Sequence, residues 1–149
     1  MGLAFDDIEQ GREYPTFSRT VTEADHSLFI GFARMTLPIF NDETYARTTA
    51  IGSRIAPGFM TCSIVAGMME SVLGRSTLAG LGMDEMRFPN PVRIGDTIRA
   101  RILVAEKRSL SDGQRGMVTL QIKTLNQRDE IVLQFVAKVM LSLKEPPLA

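Results

Sequence analysis

The segment from Pro57 to Gly74 constrains the fold most. Phe59, Met60, Cys62, Ile64, Val65, Ala66, Met68, Met69, Val72 and Leu73 put apolar side chains nearly all round a helix of this length. A helix without a polar face is one its neighbours bury on every side, so the rest of the chain has to wrap it. Pro57-Gly58 opens the helix, and Gly74 is its natural stop because helices commonly end on a left-handed glycine.

The wrapping is legible downstream. Ile98, Ala100, Ile102 and Val104 alternate with Thr97, Arg99, Arg101 and Leu103. Val118, Leu120 and Ile122 alternate with Thr119, Gln121 and Lys123, and Ile131, Leu133, Phe135, Ala137, Val139 and Leu141 fill one face of a longer run. A period of two marks half-buried strands. Ser111-Asp112-Gly113 and Asn126 to Asp129 supply turn signals between the runs. Consecutive strands with short connections form an antiparallel meander, so the pattern predicts an α+β fold in which a sheet wraps a long central helix.

Upstream, Thr22-Glu23-Ala24-Asp25 reads as a helix start, with Thr22 as cap and Asp25 facing free backbone N–H groups. Leu28, Phe29, Phe32 and Ala33 continue it as an apolar stripe. Pro38 ends that helix at or before Leu37. Residues 38 to 57 read as a long connection with a short helical pattern near Asp42 to Arg47.

Size and charge narrow the function classes. The 149 residues suit one domain, 1–149, with room for a substantial core. Seventeen basic residues balance seventeen acidic ones, which gives no electrostatic reason to expect nucleic acid or an anionic membrane as partner. One cysteine, Cys62, forms no intrachain disulfide, and with one histidine, His26, it cannot build an ordinary zinc site; no metal is expected. The first ten residues carry Asp6, Asp7 and Glu9 and do not read as a signal peptide. No stretch reaches the roughly 18 apolar residues of a spanning helix. The expectation is a soluble, cytoplasmic protein.

Several segments, in order along the chain, resemble the MaoC-like family of (R)-specific enoyl-CoA hydratases and dehydratases. They are Phe5-Asp6-Asp7-Ile8-Glu9-Gln10-Gly11, Thr20-Val21-Thr22-Glu23-Ala24-Asp25 and Arg54-Ile55-Ala56-Pro57-Gly58-Phe59-Met60. Arg87-Phe88-Pro89-Asn90-Pro91-Val92 with Gly95-Asp96-Thr97 completes the set. The resemblance implies a hotdog fold, usually a homodimer, that binds an acyl-CoA with its pantetheine arm at the dimer interface. It implies no cofactor beyond the CoA that the substrate carries.

The departures from the family pattern bear on chemistry. Family hydratases carry a G-D-x-N-P-x-H loop after the first helix, whose Asp and His activate water. Aligning Pro38 with the motif proline and Tyr45 with a later aromatic leaves the loop short. The Asp position is then deleted and the His position is Phe40. A serine that many members place on the central helix falls at Ala66, and the histidine before the helix is replaced by Pro57. Hydration needs a base for water and an acid for the α carbon, and neither Phe40 nor Ala66 offers a proton or a lone pair. The resemblance leaves no catalytic residue at the family Asp and His positions. Asn41 and Asp42 are the remaining candidates, although a helix cap is the ordinary use of either.

Binding is better preserved. Gly58 opens the buried helix, where free N–H groups and the positive dipole end can polarise a thioester carbonyl. Gly58, Phe40 and Phe59 are the expected substrate-binding residues. His26 lies outside the aligned loop and reads as a solvated surface histidine. Glu70 reads as a residue of the exposed helix end, and Cys62 and Ser63 as packing. Three functions stay open: a hydro-lyase on an enoyl- or 3-hydroxyacyl-CoA with an altered site, a non-catalytic acyl-thioester module or partner of an active paralogue, and a hotdog thioesterase.

Overall fold

The computed structural model describes residues 2–144, so both ends of the expected 1–149 domain lie outside it. The chain runs β1 (Glu13–Thr20), α1 (Glu23–Ala33), α2 (Pro38–Asn41), α3 (Glu43–Thr48), α4 (Gly58–Leu73), a 3-10 turn (Gly74–Ser76), β2 (Thr77–Arg87), β3 (Thr97–Ser109), β4 (Arg115–Leu125) and β5 (Ile131–Ser142). The described strands form one five-stranded sheet in the order β1-β3-β4-β5-β2, each neighbour antiparallel.

The three alternating runs are β3, β4 and β5, and their apolar faces point one way. Ile102 pairs with Ile122, and Ile122 with Phe135, all essentially buried. Met60, Val65, Met68 and Leu73 of α4 close the other side of this core. Each such side chain contributes about 1.5–3 kcal/mol by leaving water. The helix ends as expected. Gly74 adopts φ 59 and ψ −147, a region that only glycine occupies without strain.

Two expectations about the helices are corrected. The helix α4 is not enclosed all round, because Phe59, Ser63, Gly67, Glu70 and Ser71 are exposed. They recur at helical spacing and make one open stripe; the curved sheet reaches only the opposite flank. On α1 most of the predicted apolar stripe faces outward, with Leu28 at 75% and Phe32 at 90% exposure, while Phe29 packs against the core. The capping box at its start is present: the Thr22 hydroxyl accepts from the Asp25 N–H, and the Asp25 carboxylate accepts from the Thr22 N–H. The following connection holds two short helices, α2 and α3, which abut at Asp42. With Pro38 on the motif proline, the motif's Asp position is occupied by Met35 rather than deleted.

The N-terminal segment seals one end of the sheet. Ala4, Phe5 and Ile8 are buried, and the Phe5 ring fills the space over Gly116 of β4. Lys107 Nζ donates to the Phe5 and Ile8 carbonyls, at 2.8 and 2.7 Å, and stands over the Phe5 ring. Among the described residues no helix is long and apolar enough to cross a membrane.

Candidate functional site

The start of α4 is an open helix end. Pro57 occupies the cap position, donates no N–H itself and offers no capping side chain. The first intrahelical bond runs from the Thr61 N–H to the Pro57 carbonyl, 3.1 Å. Helix geometry therefore leaves the amides of Gly58, Phe59 and Met60 pointing off the end, together with the positive pole of the helix dipole. A pocket of about 270 Å3 lies here, lined by Ile55, Ala56, Gly58, Thr61, Phe88 and Val92 among others.

The loop before Gly58 is fixed against the β2–β3 connection. The Ala56 N–H donates to the Val92 carbonyl at 2.8 Å, Ile55 bridges to Arg93, and Arg93 Nη2 donates to the Ile51 carbonyl at 3.0 Å. Two further pockets, each about 340 Å3, follow α4 along its length. One lies against α1 and touches Arg19, Phe29, Phe32, Met60 and Ser63. The other is walled by Ala66, Met69 and Leu73 of α4, Gly80, Gly82 and Met83 of β2, and Ala137 and Val139 of β5, with Glu70 and Lys138 also lining it.

The structure separates the expected site residues. Gly58 lines the pocket at the helix start. Phe59, next in sequence, turns outward and is 65% exposed. Phe40 is half-buried on α2 and lines none of these three pockets. Asn41 Nδ2 donates to the Met35 and Leu37 carbonyls, at 3.0 and 3.2 Å, bracing the turn into α2. Asp42 caps α3 by accepting from the Tyr45 N–H at 2.9 Å.

Ala66 stands in the wall of the pocket nearest β2. Cys62 is buried, which pushes its thiol up from the ordinary range, and its sulfur lies 3.7 Å from that of Met83. Ser63 Oγ donates back to the Phe59 carbonyl at 2.8 Å. Glu70 is exposed, as expected for its place near the helix end.

His26 is the plainest correction. It is fully buried rather than solvated, because it sits on the inward face of α1. Among the described residues neither ring nitrogen has a hydrogen-bond partner. Burial holds the imidazole below its ordinary pKa; Glu23 pulls the other way and Arg54 reinforces the fall. The ring is thus neutral near pH 7.

Phe88, Thr61 and Val132 belong to the pocket at the helix start and were not foreseen in it. The signal for Phe88 was present in Arg87-Phe88-Pro89, but nothing in the sequence places that segment over residue 58. Among the described residues no three His, Cys, Asp and Glu side chains come together as metal ligands.

The MaoC like domain family matches residues 7–126. The (R)-specific enoyl-CoA hydratase of Rhodospirillum rubrum is 38% identical over 104 residues, 67% of this chain and 68% of that protein. The 3-hydroxybutyryl-CoA dehydratase of Methylorubrum extorquens is 33% identical over 150 residues, 96% of this chain and 87% of that one. Against the longer mesaconyl-CoA hydratase of Cereibacter sphaeroides the match spans 42% of its length, at 27% identity and 97% of this chain.

Among solved structures, the MaoC-like dehydratase of Rhodospirillum rubrum superposes with a TM-score of 0.82 at 30% identity, over 99% of this chain and 100% of that one. A double-hotdog protein of Mycobacterium tuberculosis shares the fold at 22% identity, with a TM-score of 0.85 over 99% of this chain and 46% of that one. The chain belongs to the MaoC-like domain family and has its hotdog fold.

Proposed function

We propose that this protein binds an acyl-CoA thioester with its carbonyl oxygen on the amides that open α4, and that it hydrates an enoyl-CoA or dehydrates a 3-hydroxyacyl-CoA. The observation that carries the reading is the uncapped start of α4 at Pro57-Gly58, facing a pocket. An oxygen that gains negative charge as water adds to the β carbon is stabilised there by preorganised N–H donors. The (R)-specific enoyl-CoA hydratase and the 3-hydroxybutyryl-CoA dehydratase among the relatives support the substrate class. The proposed chemistry calls for no cofactor beyond the CoA that the substrate carries.

A second reading has a specific observation behind it. Asn41 and Asp42, which follow Phe40, are both committed to local backbone hydrogen bonds. With Phe40 and Ala66 at the positions that resemble the family's proton-handling residues, the protein would then bind the thioester without turning it over, as a sensor or as partner of an active paralogue.

One assay separates the two. Purified protein is mixed with enoyl-CoAs of graded chain length and branching while the conjugated-enoyl absorbance is followed, and the same compounds are titrated calorimetrically. Turnover supports the hydro-lyase. Saturable binding without turnover supports the second reading, and absence of both contradicts the proposal. Free-thiol release in the same assay would move the protein to the thioesterases.

We further propose a homodimer formed at the β2 edge. Leu78, Leu81 and Met83 of this edge strand are each nearly half exposed, and an open apolar edge is one that proteins cover by pairing.

A further inference from the structure

We infer that Arg54 is a positioning residue that holds the Gly58 amide where the thioester carbonyl meets it, an inference that rests on the binding mode proposed above. Arg54 lies in the loop that enters α4. Its guanidinium engages Glu23 with two nitrogens, Nη1 to Oε1 at 3.0 Å and Nη2 to Oε2 at 2.9 Å. Its Nε donates to Glu43 Oε2 at 3.3 Å, and its backbone N–H reaches the same oxygen at 3.4 Å.

Glu23 is the first residue of α1 and Glu43 the first of α3. Carboxylates there already face the positive poles of two helices, and the guanidinium between them joins both helices to the loop. The backbone bond from Arg54 is the largest influence holding the Glu43 carboxyl below its usual range, and Glu23 holds Arg54 charged.

Two flanks of the loop are therefore pinned within four residues of Gly58. Ile55 and Ala56 are tied to the β2–β3 connection through Arg93 and Val92. Arg54 ties the other flank to α1 and α3. The Glu23 and Glu43 side chains are 55% and 43% exposed, so these pairs add little to stability. What a planar, forked guanidinium adds is orientation, and a lysine cannot reproduce it. A donor that stabilises developing charge must be held to within about 0.5 Å, so loss of the fork acts on polarisation before it acts on affinity.

The experiment compares wild type with Arg54→Lys and the milder Glu23→Gln, each checked for folding by its melting temperature. The probe is butyryl-CoA carrying 13C at the thioester carbonyl, a saturated ester that cannot be hydrated. Infrared spectra report carbonyl polarisation, calorimetry reports affinity, and 15N relaxation of the ligand-free protein reports order at the Gly58 and Phe59 amides. Wild type is expected to shift the bound carbonyl to lower frequency.

Arg54→Lys is expected to keep affinity within about threefold while losing most of the shift, with lower amide order at Gly58. Should Arg54→Lys fail to fold, Glu23→Gln is read in its place, with a smaller loss in the same direction. A folded variant that retains both the full shift and the amide order overturns the role of Arg54 and leaves the binding mode intact. Wild type that binds without any carbonyl shift overturns the binding mode, and this inference with it, whatever the relaxation data show.

Discussion

The ring of Phe88 lies directly against the backbone of Gly58: a Cβ at residue 58 would fall 2.8 Å from both Cε1 and Cζ of that ring. Gly58 is not kept for a left-handed backbone, because its φ is not among the positive ones. Two uses of the missing side chain remain, room for Phe88 and room for the thioester, and they predict different variants. Gly58→Val alone crowds Phe88 and lowers the melting temperature. Gly58→Val combined with Phe88→Ala is expected to recover much of that stability yet still bind an acyl-CoA ketone analogue at least about tenfold more weakly than Phe88→Ala alone. Near-normal affinity in the double variant would remove Gly58 from the site.

His26 gives the protein a pH dependence of stability in a defined window. Its folded pKa lies below the ordinary 6.5 because of burial, with Arg54 adding to the fall and Glu23 opposing it. Above pH 6.5 both folded and unfolded states hold a neutral ring. As pH falls through and below that value the unfolded chain takes up a proton that the folded one resists, so stability declines. The lowered carboxylates Asp25, Glu43, Asp112 and Glu130 keep their stabilising contribution above their ordinary range near pH 4 and lose it only below. Urea denaturation at pH 7.5 and 5.5 should therefore show a loss that is absent in His26→Leu.

The N-terminal strap predicts a packing cost at a glycine far from the site. A Cβ at Gly116 would meet the Phe5 ring at 2.2 to 2.6 Å. Gly116→Ala is expected to destabilise by about 1–3 kcal/mol through overpacking. Phe5→Ala, which leaves a cavity and strips the ring from Lys107, is expected to cost about 3–5 kcal/mol. Chemical denaturation measures both, and an unchanged midpoint for Phe5→Ala would show that the strap does not stay docked in solution.

Assembly is tested at β2. Light scattering is expected to give about twice the 16.5 kDa chain mass. Leu81→Lys places a charge on the apolar edge and should shift the protein toward monomer. A clean monomer in the wild type would contradict pairing at this edge.

What the sequence made legible follows the side-chain pattern. Over residues 98–104 of β3, 116–124 of β4 and 133–141 of β5 one face is buried, so alternation was legible. Strand β1 was hidden because Glu13–Thr20 is largely polar, contains Pro15, and breaks register between Pro15 and Ser18. Strand β2 was hidden by Gly80 and Gly82, where its pairing with β5 slips. The burial of His26 was illegible because Leu28 and Phe32 drew the apolar reading of α1, and both of them face out. At the site, Pro57-Gly58 and the cap role of Asp42 were readable as local signals. The contacts of Gly58 with Phe88, and of Arg54 with Glu23 and Glu43, join segments 30, 31 and 11 residues apart and have no local signature.

The most direct test of the account is calorimetric titration of the folded wild-type protein with a series of acyl-CoA ketone analogues, which keep the carbonyl and resist hydrolysis. The account predicts saturable binding of one analogue per chain, competed by the matching thioester and weakened by Gly58→Val in the Phe88→Ala background. Absence of binding across all chain lengths, from protein shown to be folded, would contradict it.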